Sequence, residues 1–445
     1  MLLIWTALLV VSCASAQGTE KYAEMPYHLR VTQRMENETV KKSYTLAKTT
    51  PDTVNDALDA EMRALVEEMA ERGKAHIPAA TQDSLPHLDV GPVISRTGTK
   101  WMSFLTLSEI THEKELVYME HDARVYDVET GERITLADIF PPESEAWAML
   151  AQAVREQLTA AFPDETPDEA VLDALCETDA LREASFTLGA ARLMLVYRAD
   201  SLYPDRHTLL HVALNYRDIR PHMTEAAAAQ TDNSRFTIVA LTFDDGGAGG
   251  TTRRVMDALR EYGAQATFFL VGKQLRSNHY NMARQQNSAY SIQYHSYTHQ
   301  YMHKMRPETA LEEKLNFTAE MASVIGVTPT MMRAPGGDEA GYVAWRIGFP
   351  MIHWSAGSFD SGNNDVRGIY TRVVRIAKDG DIVLMHDINP YAPRYTKLIV
   401  ERFNEKGILA VTVDDLFARD GVELEPDHIY YRTDNVTQPE DVVYE

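Results

Sequence analysis

The chain has 445 residues, 44% of them hydrophobic and 24% charged, a length and composition ordinary for two or three globular domains. Its formal charge of −22 argues against nucleic acid and anionic membrane surfaces as partners. Its two cysteines, Cys13 and Cys176, exclude a disulfide-built scaffold.

The first stretch, MLLIWTALLVVSCASAQG, is an apolar run of about a dozen residues that closes on small ones. It is short for a membrane span and suited to a signal peptide. Two readings compete. Cleavage after Ala16 would use Ala14 and Ala16 as the small residues, whereas VVSC is similar to a bacterial lipobox and would make Cys13 a lipidation site. Both predict an exported protein, extracellular or held in the cell envelope, that meets a membrane only through such an anchor.

Residues 20–50 are polar with β tendency, and the segment from Asn55 to His76 carries apolar residues at helical spacing. Residues 100–140 predict strands joined by a hairpin with ETGE as its turn. ESEAWAMLAQAVREQLTAAF predicts a helix, and FTLGAARLMLVYRAD and LLHVALNYRDI each predict a strand, so residues 20–221 form a smaller α+β domain. HMTEAAAAQTDNSR, residues 222–235, lacks apolar periodicity and is assigned as a linker. From 236 to 420 short buried strands alternate with helices, the pattern of a parallel α/β sheet, open or closed into a barrel. Residues 421–445 are assigned as a carboxyl-terminal tail.

Chemistry in such folds gathers at the carboxyl ends of strands. There IVALTFDDGG places adjacent aspartates, Asp244 and Asp245. Successive strand side chains point to opposite faces, so one would face a cleft while the other turns aside. In YHSYTHQYMH, His295 and His299 are four apart, and on a helical turn both imidazoles would reach one ion. Asp245 is the available carboxylate, completing a three-ligand set that leaves positions open for water and substrate. His303 extends the spacing, but a zinc protease of the HExxH type needs a glutamate where Ser296 stands. Arg333, Asp360 and His386 sit at three further strand ends.

In this order TFDDG, HSYTH, RAPGG, WSAGSFD and LMHD resemble the five motifs of the polysaccharide deacetylases, the NodB homology domain or carbohydrate esterase family 4. The resemblance covers residues 236–418. It implies an α/β fold with a distorted (β/α) barrel and metal-dependent removal of acetyl groups from N-acetylated sugars. Carried over position by position, Asp244 is the base and His386 the acid. Arg333 orients Asp244, and Asp360 holds His386. Asp245, His295 and His299 bind one divalent ion, Zn²⁺ ahead of Co²⁺, Mn²⁺ or Ni²⁺, while Gly336 and Leu384 contact substrate. The sequence departs from the family at Gly247, where a proline is usual, at Gly336, where an aromatic is usual, and at Gly357 to Ser361, where DxxDW is usual. Losing that aromatic and the tryptophan should open the sugar groove.

YDVETGERITLADIF and LLHVALNYRDIRPHM resemble the domain that precedes some peptidoglycan deacetylases and occurs in lysozyme-sensing anti-sigma factors. That similarity implies glycan or lysozyme contact and favours peptidoglycan as the substrate. Chitooligosaccharide deacetylation, O-acetyl xylan esterase activity and non-catalytic glycan binding are the alternatives.

Overall fold

The computed structural model describes residues 27–36, 39–49, 56–81, 84–246, 249–277, 279–338, 346–426 and 428–437. The segment expected to be a signal, with Cys13, and Gly247 lie outside the described residues. Strands β1 (Tyr27–Glu36), β2 (Lys41–Thr49), β3 (His87–Thr97), β4 (Trp101–His112), β5 (Glu115–Asp127) and β6 (Arg133–Ile134) form one sheet in chain order. Only β2 and β3 run parallel, and the helix Asp56–Lys74 makes the crossover that a parallel pair requires. Leu58, Met62, Leu65 and Met69 of this helix share one face and pack on Leu88, Val90 and Phe104. On the other face of the sheet, Leu105, Leu107 and Met119 meet Val196 and Leu209 of a second sheet, β7 (Phe186–Leu188), β8 (Arg192–Arg198) and β9 (Leu209–Asn215).

Local chemistry changes three expectations in this region. Residues 100–140 turn twice, first at Glu113 and Lys114, both with positive φ, and again at ETGE. FTLGAARLMLVYRAD is itself a hairpin, β7 to β8, rather than one strand. Residues 222–235 are folded rather than a loose linker. Thr224 caps a helix over Glu225–Gln230, whose alanines are the strongest helix formers. Asn233 is then buried, donating to the Ala190 carbonyl at 2.7 Å and to Thr97 Oγ1 at 2.8 Å.

Strands β10 (Ile238–Asp244), β11 (Thr267–Leu270), β12 (Ser291–Tyr294), β13 (Met351–Ile352), β14 (Ala356–Gly357) and β15 (Ile382–His386) make the second region. They join in parallel in the order β12-β11-β10-β15-β14. From β12 the ladder continues through single bridges, Tyr294 to Met332 and Met332 to Met351. Because β13 and β14 are halves of one interrupted strand, the ring closes into a distorted barrel. Strand β16 (Leu409–Val411) pairs with the start of β10. The expected tail instead supplies β17 (Ile429–Arg432) and β18 (Asn435–Thr437), with β17 added in parallel to β13. Amphipathic helices Gly250–Glu261, Pro307–Ile325, Val366–Ile376 and Ala392–Lys406 connect the barrel strands.

Charged groups join the two regions where the helix His279–Asn287 meets the first sheet. Buried Arg284 reaches Asp89 at 3.2 Å and Asp257 at 2.9 Å. Asn287 donates to Glu109 at 2.7 Å and accepts from the Leu209 amide at 2.8 Å. Burial alone would raise both carboxyl pKa values. It prevails at Glu109, while the Arg284 and Arg260 charges outweigh it at Asp89. Removing one partner from such a buried set costs about 3–5 kcal/mol. Arg284→Met should therefore lower the denaturant midpoint sharply. Lys397→Met, which opens the exposed Lys397–Glu261 pair, should cost under about 1 kcal/mol. Equal midpoints for the two variants would contradict this reading of the joint.

Candidate active site

In the parallel register of β10 and β15, Asp244 pairs with His386, and two residues earlier Thr242 pairs with Leu384. Paired residues of adjacent strands point to the same side, so an aspartate and a histidine share the barrel mouth. Asp245, the carboxylate expected at the cation site, shares the mouth with Asp244 although successive strand side chains alternate. Its φ of +74° is left-handed, a conformation aspartate tolerates, and it re-aims the carboxylate into the same cleft as Asp244. Gly246 follows because a Cβ there would lie 2.0 Å from Asp387 Oδ1.

Arg333 leaves the Met332 bridge and is fully buried. Nη1 donates to Asp244 Oδ1 at 2.8 Å and Thr242 Oγ1 at 2.7 Å; Nε and Nη2 donate to the carbonyls of Ile352 and His353 at 2.8 and 2.9 Å. Its own carbonyl accepts from His295 Nδ1 at 2.8 Å. Burial pulls the guanidinium pKa down against the Asp244 charge, yet arginine stays protonated in proteins. Asp244 is thereby held by one oxygen, and among the described residues Oδ2 accepts no hydrogen bond and lies 3.9 Å from His295 Nε2.

Asp245 Oδ1 lies 2.8 Å from His299 Nε2 and 3.3 Å from His295 Nε2. Ligand atoms about 2.1 Å from a tetrahedral ion would stand roughly 3.4 Å apart, so the three donors fit one divalent cation. They are the one such group among the described residues. The bond from His295 Nδ1 to the Arg333 carbonyl leaves Nε2 to serve a cation, the usual second contact of a ligating histidine. Burial would raise the Asp245 pKa, but the two imidazoles outweigh it and hold it far below the carboxylate range.

The expected helical turn is absent. HSYTH is a loop that reverses through positive φ at Ser296 and His299. Buried Glu313, from the helix Pro307–Ile325, pins it by accepting from the Tyr297 amide at 2.9 Å and Thr298 Oγ1 at 2.5 Å. His303 turns away to Asp338, at 2.7 Å.

Across the mouth, Asp360 Oδ1 lies 2.8 Å from His386 Nδ1 and Oδ2 accepts from the His386 amide at 2.8 Å. Ser358 Oγ and Tyr395 Oη also donate to Asp360, at 2.8 and 2.5 Å. Burial lowers the His386 pKa, but the Asp360 bond and charge, with Asp244 and Asp245 beyond, push it up to about 9. His386 Nε2 is left for the cleft.

Leu384 is half-buried one strand pair below His386, beside Gly357 of β14. Gly336 is exposed at the mouth with φ +70°. The expected opening over it does not occur. A Cβ on Gly336 would lie 2.4 Å from Tyr301 Cε1, so the Tyr301 ring fills the space. Sequence reasoning missed Thr242, Glu313, Tyr395 and Tyr301. Thr242 was discoverable, two residues before Asp244 on one strand face; the others come from helices and a loop whose approach no spacing encodes.

The polysaccharide deacetylase family model matches residues 231–348. The peptidoglycan-N-acetylglucosamine deacetylase PgdA of Listeria monocytogenes is 26% identical over 300 residues, 66% of this chain and 64% of that protein. The chain thus spans about two-thirds of that relative's length. A peptidoglycan-N-acetylglucosamine deacetylase of Bacillus cereus is 33% identical over 187 residues, 40% of this chain and 87% of that protein. Among solved structures, a family 4 acetyl xylan esterase from Clostridium thermocellum in complex with a cobalt ion is 27% identical, with a TM-score of 0.43 over 44% of this chain and 100% of that one.

His295→Ala and His299→Ala should each abolish tight divalent metal binding in a chelator competition. Glu313→Gln, which touches no donor atom, should weaken binding about 10- to 100-fold by loosening the loop. Full metal content in both histidine variants would place the cation elsewhere.

Proposed function

The chain belongs to the polysaccharide deacetylase family, and from that premise we propose that it is an exported, metal-dependent hydrolase that removes N-acetyl groups from cell-wall glycan, with peptidoglycan as its polymer. The observation that carries the proposal is the convergence on one barrel mouth of three cation donors, a carboxylate with one free oxygen, and a carboxylate-backed histidine. The Listeria and Bacillus relatives, both peptidoglycan-N-acetylglucosamine deacetylases, support the polymer.

An acetamide is a poor electrophile, and attack by water needs four provisions. A cation held by Asp245, His295 and His299 would supply Lewis acidity and a lowered water pKa; Zn²⁺ suits this nitrogen and oxygen donor set. Asp244 Oδ2, on the side of those donors, takes the proton of the attacking water. Arg333 fixes Oδ1 and so chooses the oxygen. The backbone N–H at Gly336 stands at the mouth to donate to the oxygen that becomes negative, and Leu384 offers an apolar wall to the acetyl methyl. As the C–N bond breaks, His386 Nε2 gives its proton to the leaving amine, and acetate and a free amino sugar result.

The roles of the two carboxylates differ because their partners differ. Asp244 has a buried cation on one oxygen and an open second oxygen. Asp360 is saturated by Ser358, Tyr395 and His386, so it holds the imidazolium and takes no substrate proton.

Incubation of the metal-loaded protein with peptidoglycan fragments should release acetate, and chelator should stop it. No release from these, from chitooligosaccharides or from acetyl xylan under any divalent metal would reject the proposal. Asp244→Asn should keep the metal and lose at least about a thousandfold in kcat, in line with the loss of a general base. Metal loss equal to that of Asp245→Asn would reverse the two roles. The rate should fall as pH rises through the His386 pKa. In Asp360→Asn, with the carboxylate gone, that alkaline limb should move to lower pH, toward the ordinary histidine value of about 6.5. An unmoved limb in a folded, metal-binding variant would remove Asp360 from the mechanism.

A further inference from the structure

We propose that the helix Val366–Ile376 carries an arginine face that binds carboxylates hung from the glycan, those of the acidic peptide stems of peptidoglycan, while a sugar of the same polymer occupies the barrel mouth. The inference rests on the deacetylase reading above and names how the protein chooses an acidic polymer over a neutral one.

Helical periodicity divides this helix into two halves. Val366, Ile369, Tyr370, Val373, Val374 and Ile376 share one side. Ile369 and Val373 are buried in the barrel core, and the other four pack against it. The other half holds Arg367, Gly368, Thr371, Arg372 and Arg375, all exposed. Exposed helix faces commonly alternate charges of both signs, but no acidic residue lies within this helix. Among the described residues none of the three guanidiniums forms an ion pair or a side-chain hydrogen bond. Acidic residues outnumber basic ones 65 to 43 in this chain, so partners within the protein were plentiful, and three neighbouring cations without them point to an anion from outside.

Gly368 leaves a hollow among them. Asp365 caps the helix by accepting from the Gly368 amide at 2.9 Å, and a Cβ at 368 would lie 2.3 Å from Asp365 Oδ2. The bare backbone floors a shallow depression of about 330 Å³ lined by Asp365, Arg367, Thr371, Arg372 and Arg375. Asp365 is engaged in the cap, so what the depression offers a ligand is three guanidiniums. Arg367 and Arg375 stand about 12 Å apart along the axis, a span that takes more than one carboxylate. The planar fork of each arginine can donate two parallel hydrogen bonds to one.

The face starts at the mouth. Its helix follows the loop that carries Asp360, the partner of His386, and the Arg372 guanidinium lies 4.6 Å from the ring centre of Phe359, the neighbour of Asp360. At the far end the Lys406 ammonium donates to the Val374 carbonyl at 2.9 Å and adds a fourth cation. A stem hung from a sugar held at His386 would meet Arg372 first and then the rest of the face.

The test measures how tightly the full chain pellets with insoluble peptidoglycan, with the same polymer after amidation of its carboxylates, and with chitin. At low salt the wild type should bind native peptidoglycan about tenfold more tightly than either neutral polymer, and the preference should shrink at high salt because exposed charges are screened. The triple variant Arg367→Gln, Arg372→Gln, Arg375→Gln should lose the preference. The triple variant Arg133→Gln, Arg155→Gln, Lys397→Gln, which removes the same charge at exposed sites elsewhere, should keep it. With metal-loaded protein, the ratio of KM for stem-bearing fragments to KM for a peptide-free N-acetylglucosamine hexamer should rise about tenfold in the first variant only. A preference lost with the arginines upholds the face even if no acetate is ever released, a result that would reject the deacetylase reading alone. Wild-type binding indifferent to amidation, or a folded arginine variant that keeps the preference, would overturn the proposal. So would an arginine variant that loses binding to phosphatidylglycerol vesicles and not to peptidoglycan, which would assign the face to a membrane.

Discussion

A single buried cation organises this barrel mouth. The Arg333 guanidinium has no solvent to share its charge, so each of its donors must find an acceptor inside the protein. Those acceptors are Asp244, Thr242 and the carbonyls of Ile352 and His353, which belong to β10 and to the β13 edge where the ring closes by single bridges. The same residue's carbonyl fixes the His295 ring. The proposed base, one candidate cation donor and the weakest stretch of the barrel wall are thus tied to one residue. Each is in register only if the others are.

The opposite wall repeats the logic with the signs exchanged. There a buried carboxylate, Asp360, is surrounded by donors from Ser358, Tyr395 and His386. A cation beside one carboxylate and a carboxylate beside one imidazole set the proposed proton acceptor and the proposed proton donor on adjacent strands, β10 and β15. Their separation is fixed by strand spacing, because Asp244 and His386 are register partners.

The residues of the proposed site were legible in the sequence because strand ends and short motifs bring them to one mouth. Asp244, Asp245, His295, His299, Arg333, Asp360 and His386 all arrive at one mouth. How they are aimed was not legible. Alternation suggested that one of Asp244 and Asp245 could turn aside, but the left-handed backbone at Asp245 brings both to the cleft, and strand periodicity does not reach past the strand. Spacing of four suggested a helical turn at His295 and His299, yet the loop is made by Ser296, His299 and a glutamate from another helix. Gly336 read as an opening because a missing side chain leaves room; Tyr301, 35 positions earlier by the numbering, occupies it. The alternation of strands and helices announced the barrel, while β12, β17 and β18 are short and carry too little periodicity to be seen. Residues 222–235 looked like a linker because alanine is neutral to a hydrophobic pattern although it is the best helix former.

The most direct test of this account is the divalent metal affinity of Arg333→Lys, measured by chelator competition beside the wild type. The side chain at 333 touches no cation donor, and lysine keeps the charge while losing the planar fork that serves four acceptors. If Arg333 organises the mouth, the backbone carbonyl that holds His295 shifts out of place and affinity falls about 10- to 100-fold. A folded Arg333→Lys protein that binds the metal as tightly as the wild type would contradict the account.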